Sequence, residues 1–149
     1  MLIIIGFLFS VLISWFVSLQ IRMNGGYFID FPSALLTLIC LFFFFFTSKS
    51  GSIIGRYIKS SFKKDYAYTR TELVSLSMAI KNTIKFSLAT GGFGFLSGLI
   101  ACLGVASYKD MGVNVAVCLV SVFYAIIVSY IILFPVQAWA ENKINAMVE

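Results

Sequence analysis

Four hydroxyl side chains, Ser121, Tyr124, Ser129 and Tyr130, stand three, five and one residues apart in the stretch SVFYAIIVSYIILFP. A hydroxyl donates and accepts hydrogen bonds without ionising near neutral pH, so such a row can solvate a small cation or hand on a proton. It does not make a nucleophile with its base: His is absent from the whole chain, and the few carboxylates fall in polar stretches. Cys40, Cys102 and Cys118 are odd in number and widely spaced within apolar runs. That pattern implies neither a disulfide framework nor a metal site, and the three thiols read as small apolar side chains. An enzyme, a cofactor and a bound metal are therefore not expected.

The elements that position these residues follow from composition. The chain is 60% hydrophobic and 11% charged, against about 25% charged residues in soluble domains, and its mean hydropathy is +0.99. A helix crosses a bilayer with about 20 mostly apolar residues. Four runs qualify: 2–21, 31–47, 86–106 and 113–134. The runs are continuous and lack the alternation of barrel strands, so the expected fold is an all-α integral membrane protein, residues 1–149 forming one membrane domain of four transmembrane helices. The first run has no basic residue before its apolar core and no small-x-small site after it, so it is expected to be a span instead of a secretion signal. No span contains Asp, Glu, Lys, Arg or His. A charge at mid-bilayer costs at least about 2.5–3.5 kcal/mol and is kept where chemistry needs it, so this chain has no titratable group of its own for moving a proton across.

Lys49, Arg56, Lys59, Lys63, Lys64, Arg70, Lys81 and Lys85 cluster in the connection of residues 48–85, against Asp65 and Glu72 alone. The positive-inside rule makes that connection cytoplasmic, and an even number of spans puts both termini there too. The net charge of +5 thus reflects topology, and a nucleic-acid partner is not expected. Within the connection, Ile53, Ile54, Tyr57, Ile58 and Phe62 recur at helical spacing. After a break around 64–68, Thr69 or Thr71 is placed to cap a second helix with Glu72 in its first turn. Its stripe Leu73, Leu76, Ile80 and Ile84 runs on into the third span. Phe42–Phe46 wrap the whole circumference of a helix and define no face.

In the third span Gly91, Gly94, Gly98 and Ala101 repeat three and four apart, and in the fourth Asn114, Cys118, Ser121, Ala125 and Ser129 do the same. In lipid, helices associate where small residues let backbones approach closely. These stripes are expected to pack, with Gly91, Gly94, Cys118 and Ser129 as packing positions, either on each other or on neighbouring copies. Pro32 and Pro135 are expected to mark a helix end or kink.

Three segments resemble the MotA/TolQ/ExbB family, and the MotA stator subunits most. AVCLVSVFYAIIVSYIILFPVQAWAENK is similar to the family's fourth span, which ends in a Pro followed by a polar helix. NGGYFIDFPSALLTLI, with Gly25-Gly26, Ile29-Asp30 and Pro32-Ser33, resembles its first outer connection and second-span start. GFGFLSGLIACLG is similar to its glycine-rich third span. The resemblance implies a homo-pentameric ring in a bacterial inner membrane. The ring would surround a pair of single-span partners of the MotB, ExbD or TolR type, whose intramembrane Asp carries the ion. It implies that Ser97, Gly98, Ala101, Ser121 and Ala125 line the partner-facing pore, with Tyr124 and Ser129 near it.

Departures from the pattern qualify what is implied. Gly91 stands where the family has a Pro, and Gly98 and Val122 stand where it has threonines. The loss at Val122 argues for protons in preference to sodium as the transported ion. TRTELVSLSMAIKN resembles the start of the family's cytoplasmic helices, yet the Arg- and Glu-containing segment that grips the flagellar rotor is missing. A non-flagellar motor subunit is the function expected. The alternative is a non-transporting four-helix scaffold or regulator of another membrane protein.

Overall fold

The computed structural model describes residues 8, 11, 12, 15, 30–61, 66–105 and 111–147, and among them it is all-helical apart from short turns. Almost all of the expected first span, 2–21, lies outside the described residues; Leu8, Val11, Leu12 and Trp15 within it are helical and exposed. The expected break around 64–68 is described from Tyr66 onward, and residues 106–110 lie outside.

Helix α1 (Phe31–Ser48) opens at Asp30, whose Oδ2 accepts from the Ser33 N–H at 3.0 Å. Pro32 falls in the first turn, where its missing N–H would have had no partner anyway. Pro32 therefore starts a helix. At the other end Lys49 adopts the left-handed conformation with φ of 56°, which reverses the chain at once into α2 (Ser50–Ser61). The fold-back is tight: a Cβ on Gly51 would lie 2.8 Å from the Phe45 Cβ.

Helix α3 (Arg70–Val105) is one element of 36 residues, about 54 Å long. It is longer than the hydrocarbon core of about 30 Å. Its start is a reciprocal cap: the Glu72 N–H donates to Thr69 Oγ1 at 3.4 Å, and the Thr69 N–H donates to Glu72 Oε2 at 3.1 Å. The second connection helix and the third span are thus a single rod.

The last rod comprises α4 (Met111–Ile126), a π-helical segment (Ile127–Leu133) and α5 (Phe134–Asn145). The fourth span was expected to end or kink at Pro135, but the helix continues past it to Asn145. What changes is the hydrogen bonding. The Phe134 N–H donates to the Ser129 carbonyl, five residues back. A widened turn just before Pro135 relieves the clash that a proline ring makes with the preceding turn of an α-helix.

Three helices, Phe31–Ser48, Arg70–Gly104 and Val115–Asn145, are long and apolar enough to cross a membrane. Their outer faces carry Leu38, Phe42, Phe43, Phe46, Phe93, Ile100 and Leu103, all well exposed. So large an apolar surface suits lipid. Within the phenylalanine run, Phe44 stacks on Phe86 at 4.5 Å between ring centroids while Phe42, Phe43 and Phe46 face outward.

The hydrophobic core lies at the basic end of the bundle, where Ile54, Tyr57, Leu73, Leu76, Ile80, Leu133, Val136 and Ala140 pack together. Trp139 lies 5.6 Å from Tyr57 and 5.5 Å from Tyr68, and the Lys143 ammonium sits 5.1 Å above the Trp139 ring. Glu141 accepts from Ser77 Oγ at 3.0 Å and ties α5 to α3.

Candidate functional site

The site is the seam between α3 and the α4–π rod. The two small-residue stripes meet there within one chain. A Cβ on Gly91 would overlap the Ala125 Cβ, one on Gly94 would lie 3.1 Å from the Ser121 side chain, and one on Gly98 would lie 2.7 Å from Cys118 Sγ. Close approach of this kind is available to glycine alone. The Cys102 and Cys118 thiols touch across the same seam at 3.6 Å.

Hydroxyls are threaded through this contact. Ser121 is buried, and its Oγ donates to the Cys118 carbonyl at 2.8 Å and to the Gly91 carbonyl across the seam at 3.3 Å. Ser129, fully buried, donates across to the Ile84 carbonyl at 3.4 Å. On the α3 side Thr83, Ser87 and Thr90 are buried. Thr83 donates to the Ala79 carbonyl at 2.8 Å. Ser87 differs: it is 0% exposed and its Oγ has no hydrogen-bond partner.

The expected pore-lining residues separate into two groups. Ser121 and Ala125 face α3 of their own chain and are buried. Gly98 is half-buried against Cys118, whereas Ser97 and Ala101 are exposed, with Ser97 Oγ donating to the Gly94 carbonyl at 3.1 Å. Gly91, Gly94, Cys118 and Ser129 all lie in the seam. Tyr124 sits beside the start of α1, where its hydroxyl accepts from the Asp30 N–H at 3.2 Å. Tyr130 is exposed.

Thr83, Ser87 and Thr90 are not among the residues expected from the sequence. A signal for two of them exists: stepping back from Gly98 through Gly94 and Gly91 by threes and fours lands on Ser87 and then Thr83. A glycine stripe draws the eye, and the hydroxyls that prolong it resemble ordinary helix-interior Ser and Thr.

A cavity of about 280 Å³ lies at the basic end, lined by Arg56, Tyr57, Ser60, Tyr66, Tyr68 and Glu72 among others. The Tyr66 hydroxyl donates to Glu72 Oε1 at 2.9 Å. That bond holds the phenol above its usual range. Among the described residues no three His, Cys, Asp or Glu side chains converge as metal ligands would.

No family model matches the chain, and no curated protein or solved structure matches it either.

Proposed function

We propose that the chain is the ring-forming subunit of an ion-driven membrane motor of the MotA/TolQ/ExbB type, non-flagellar and driven by protons. In this reading it sits in a bacterial inner membrane with both termini cytoplasmic. Five copies enclose a pair of single-span partners that supply the intramembrane Asp. A proton falling through a membrane potential delivers about 2.3 kcal/mol per 100 mV, which drives one part of the assembly against the other.

One observation carries the reading. On α3, Ser97, Ala101 and Gly104 form an exposed stripe of small residues, bordered on one side by the glycine seam and on the other by the large apolar Phe93, Leu96, Ile100 and Leu103 that suit lipid. Small residues on an outer helix face gain nothing from lipid and admit another helix closely. A partner helix docked there would face Ser97, while Ser121 and Ala125 stiffen the wall behind.

The test is purification from native membranes on a tag, followed by particle imaging and by proton flux in vesicles. A ring filled by foreign helices, conducting protons and blocked by Ser97→Leu or Ala101→Leu, is expected. A monodisperse monomer without a single-span companion overturns the reading. Leu at Gly98 or Ser121 would not discriminate, since either breaks the seam itself.

The scaffold reading draws on a different observation. Gly98, where the family has a threonine, is closed off by Cys118 Sγ, so that position itself offers no hydroxyl. A scaffold would keep the same companion helix yet conduct nothing, and Ser97→Leu would change its binding alone.

A further inference from the structure

The unpartnered hydroxyl of Ser87 sets a problem that the packing of the chain does not solve. A buried polar atom without a hydrogen bond is costly, and in native proteins such groups have a partner or a role. Serine in a helix commonly bonds back to the carbonyl four residues earlier, as Thr83 does to Ala79. Ser87 does not do so, and its Oγ is fully buried.

Its surroundings are polar for a membrane interior. Ser129 donates to the Ile84 carbonyl, three residues before Ser87, and Ser121 donates to the Gly91 carbonyl, four residues after it. Ser87 thus lies between two hydroxyls that cross the seam from the opposite rod. Thr83 and Thr90, both buried, extend the line along α3 in either direction. From the level of Ile84 toward the basic end, the opposite wall is the π segment, which Ser129 belongs to. Pro135 has no N–H, so the Tyr130 carbonyl, next in the five-residue pattern after Ser129, receives no donor from that position. π turns recur at functional sites.

The line has a useful length. From Thr90 to Thr83 is about 10 Å along the helix, about a third of a hydrocarbon core. It starts at Thr90, four residues inside the expected third span, and ends level with the exposed Lys81, Asn82 and Lys85.

We infer that Ser87 holds a buried water in the seam between α3 and the last rod, and that this water and the hydroxyls of Thr90, Ser129 and Thr83 relay protons through each subunit from Thr90, inside the third span, to the basic end. The proton part rests on the motor reading above; the water site does not. In each transfer one O–H bond breaks on the donor oxygen and one forms on the acceptor. The water takes a proton on one side and releases another on the other side, and no electron moves.

The complex purified with its native companion is reconstituted in phosphatidylethanolamine–phosphatidylglycerol vesicles holding a pH dye, with a potassium–valinomycin potential across them. Ser87→Ala is expected to lower proton flux about tenfold, the effect of one lost hydrogen bond on a barrier, with ring size and melting temperature kept. Ser129→Ala is expected to lower flux likewise, with some loss of melting temperature because its bond to Ile84 is lost, and Ser87→Thr to retain flux. If the wild type conducts and Ser87→Ala conducts equally, the relay is overturned and the motor reading stands; if the wild type does not conduct, both fall. A density map fine enough to show waters decides the site independently of flux. A water bonded to Ser87 Oγ supports it, and Ser87 Oγ bonded to a protein atom overturns it.

Discussion

A single methyl group separates Gly91 from alanine, and the seam has no room for it. The added carbon would overlap Ala125 Cβ and lie 3.2 Å from the Ser121 carbonyl oxygen, whereas at Gly92 it would meet nothing within 4 Å. Alanine gains about 0.5–1 kcal/mol over glycine in a helix interior, and overpacking a tight contact costs about 1–3 kcal/mol. The two terms oppose each other at Gly91 and only the first acts at Gly92. Gly91→Ala is therefore expected to lower the melting temperature in detergent, with Ala125→Gly restoring part of the loss, while Gly92→Ala leaves it unchanged or raises it. The thiols offer a check on the same pairing. Cys102 and Cys118 already touch at 3.6 Å, so mild oxidation is expected to join them within one chain, read as a mass loss of two hydrogens without a dimer band on a gel. Cross-linked dimers in place of that product would mean that the stripes pair between chains.

At the scale of elements, the π segment decides which faces the last rod buries. The buried positions Ser121, Ala125, Ser129 and Leu133 are each four residues apart. In a straight α-helix every step of four overshoots one turn by about 40°, so three steps would swing Leu133 about 120° away from Ser121. A wider turn removes the drift and lets Val136 and Ala140 continue the same face. That run was visible in the sequence as far as Ser129, as were the Pro135 irregularity and a cap at Thr69 or Thr71 with Glu72 in the first turn. The type of irregularity was not visible, because a proline alone does not distinguish a kink from a π turn. The partition of Ser97 from Ser121 was not visible either. Hydroxyl residues on adjoining spans look alike until the packing shows that one lies on the outer surface and the other inside. The π turn behaves as a one-residue insertion, so deleting Ile132 together with Pro135→Ala is expected to leave an α-helical rod with both faces in register and a near-native melting temperature. Deleting Leu119, in the interior of α4, is expected to abolish folding, because the residues on one side of the gap then rotate off their face. Equal loss from both deletions, measured by melting in detergent, would refute this account of the π segment.

The whole molecule divides its adhesives by solvent. Large apolar and aromatic side chains make the core at the basic end, where water drives their burial. Small residues and hydroxyls make the seam in the apolar part, where lipid offers no such drive and close backbone contact and hydrogen bonds must serve. On this division the exposed Ser97, Ala101 and Gly104 belong to neither population: they are seam-type residues on a lipid-type face. The mismatch is removed when a further helix covers them. A large apolar residue there displaces no neighbour among the described residues, so it is expected to cost the isolated chain nothing while holding a docking helix off. Ala101→Leu is therefore expected to leave the melting temperature of the purified single chain within experimental error. The same substitution is expected to eliminate co-purification of any single-span companion from native membranes. Retention of the companion at wild-type yield would show that this face meets only lipid, and the motor and scaffold readings would both lose the surface on which they depend.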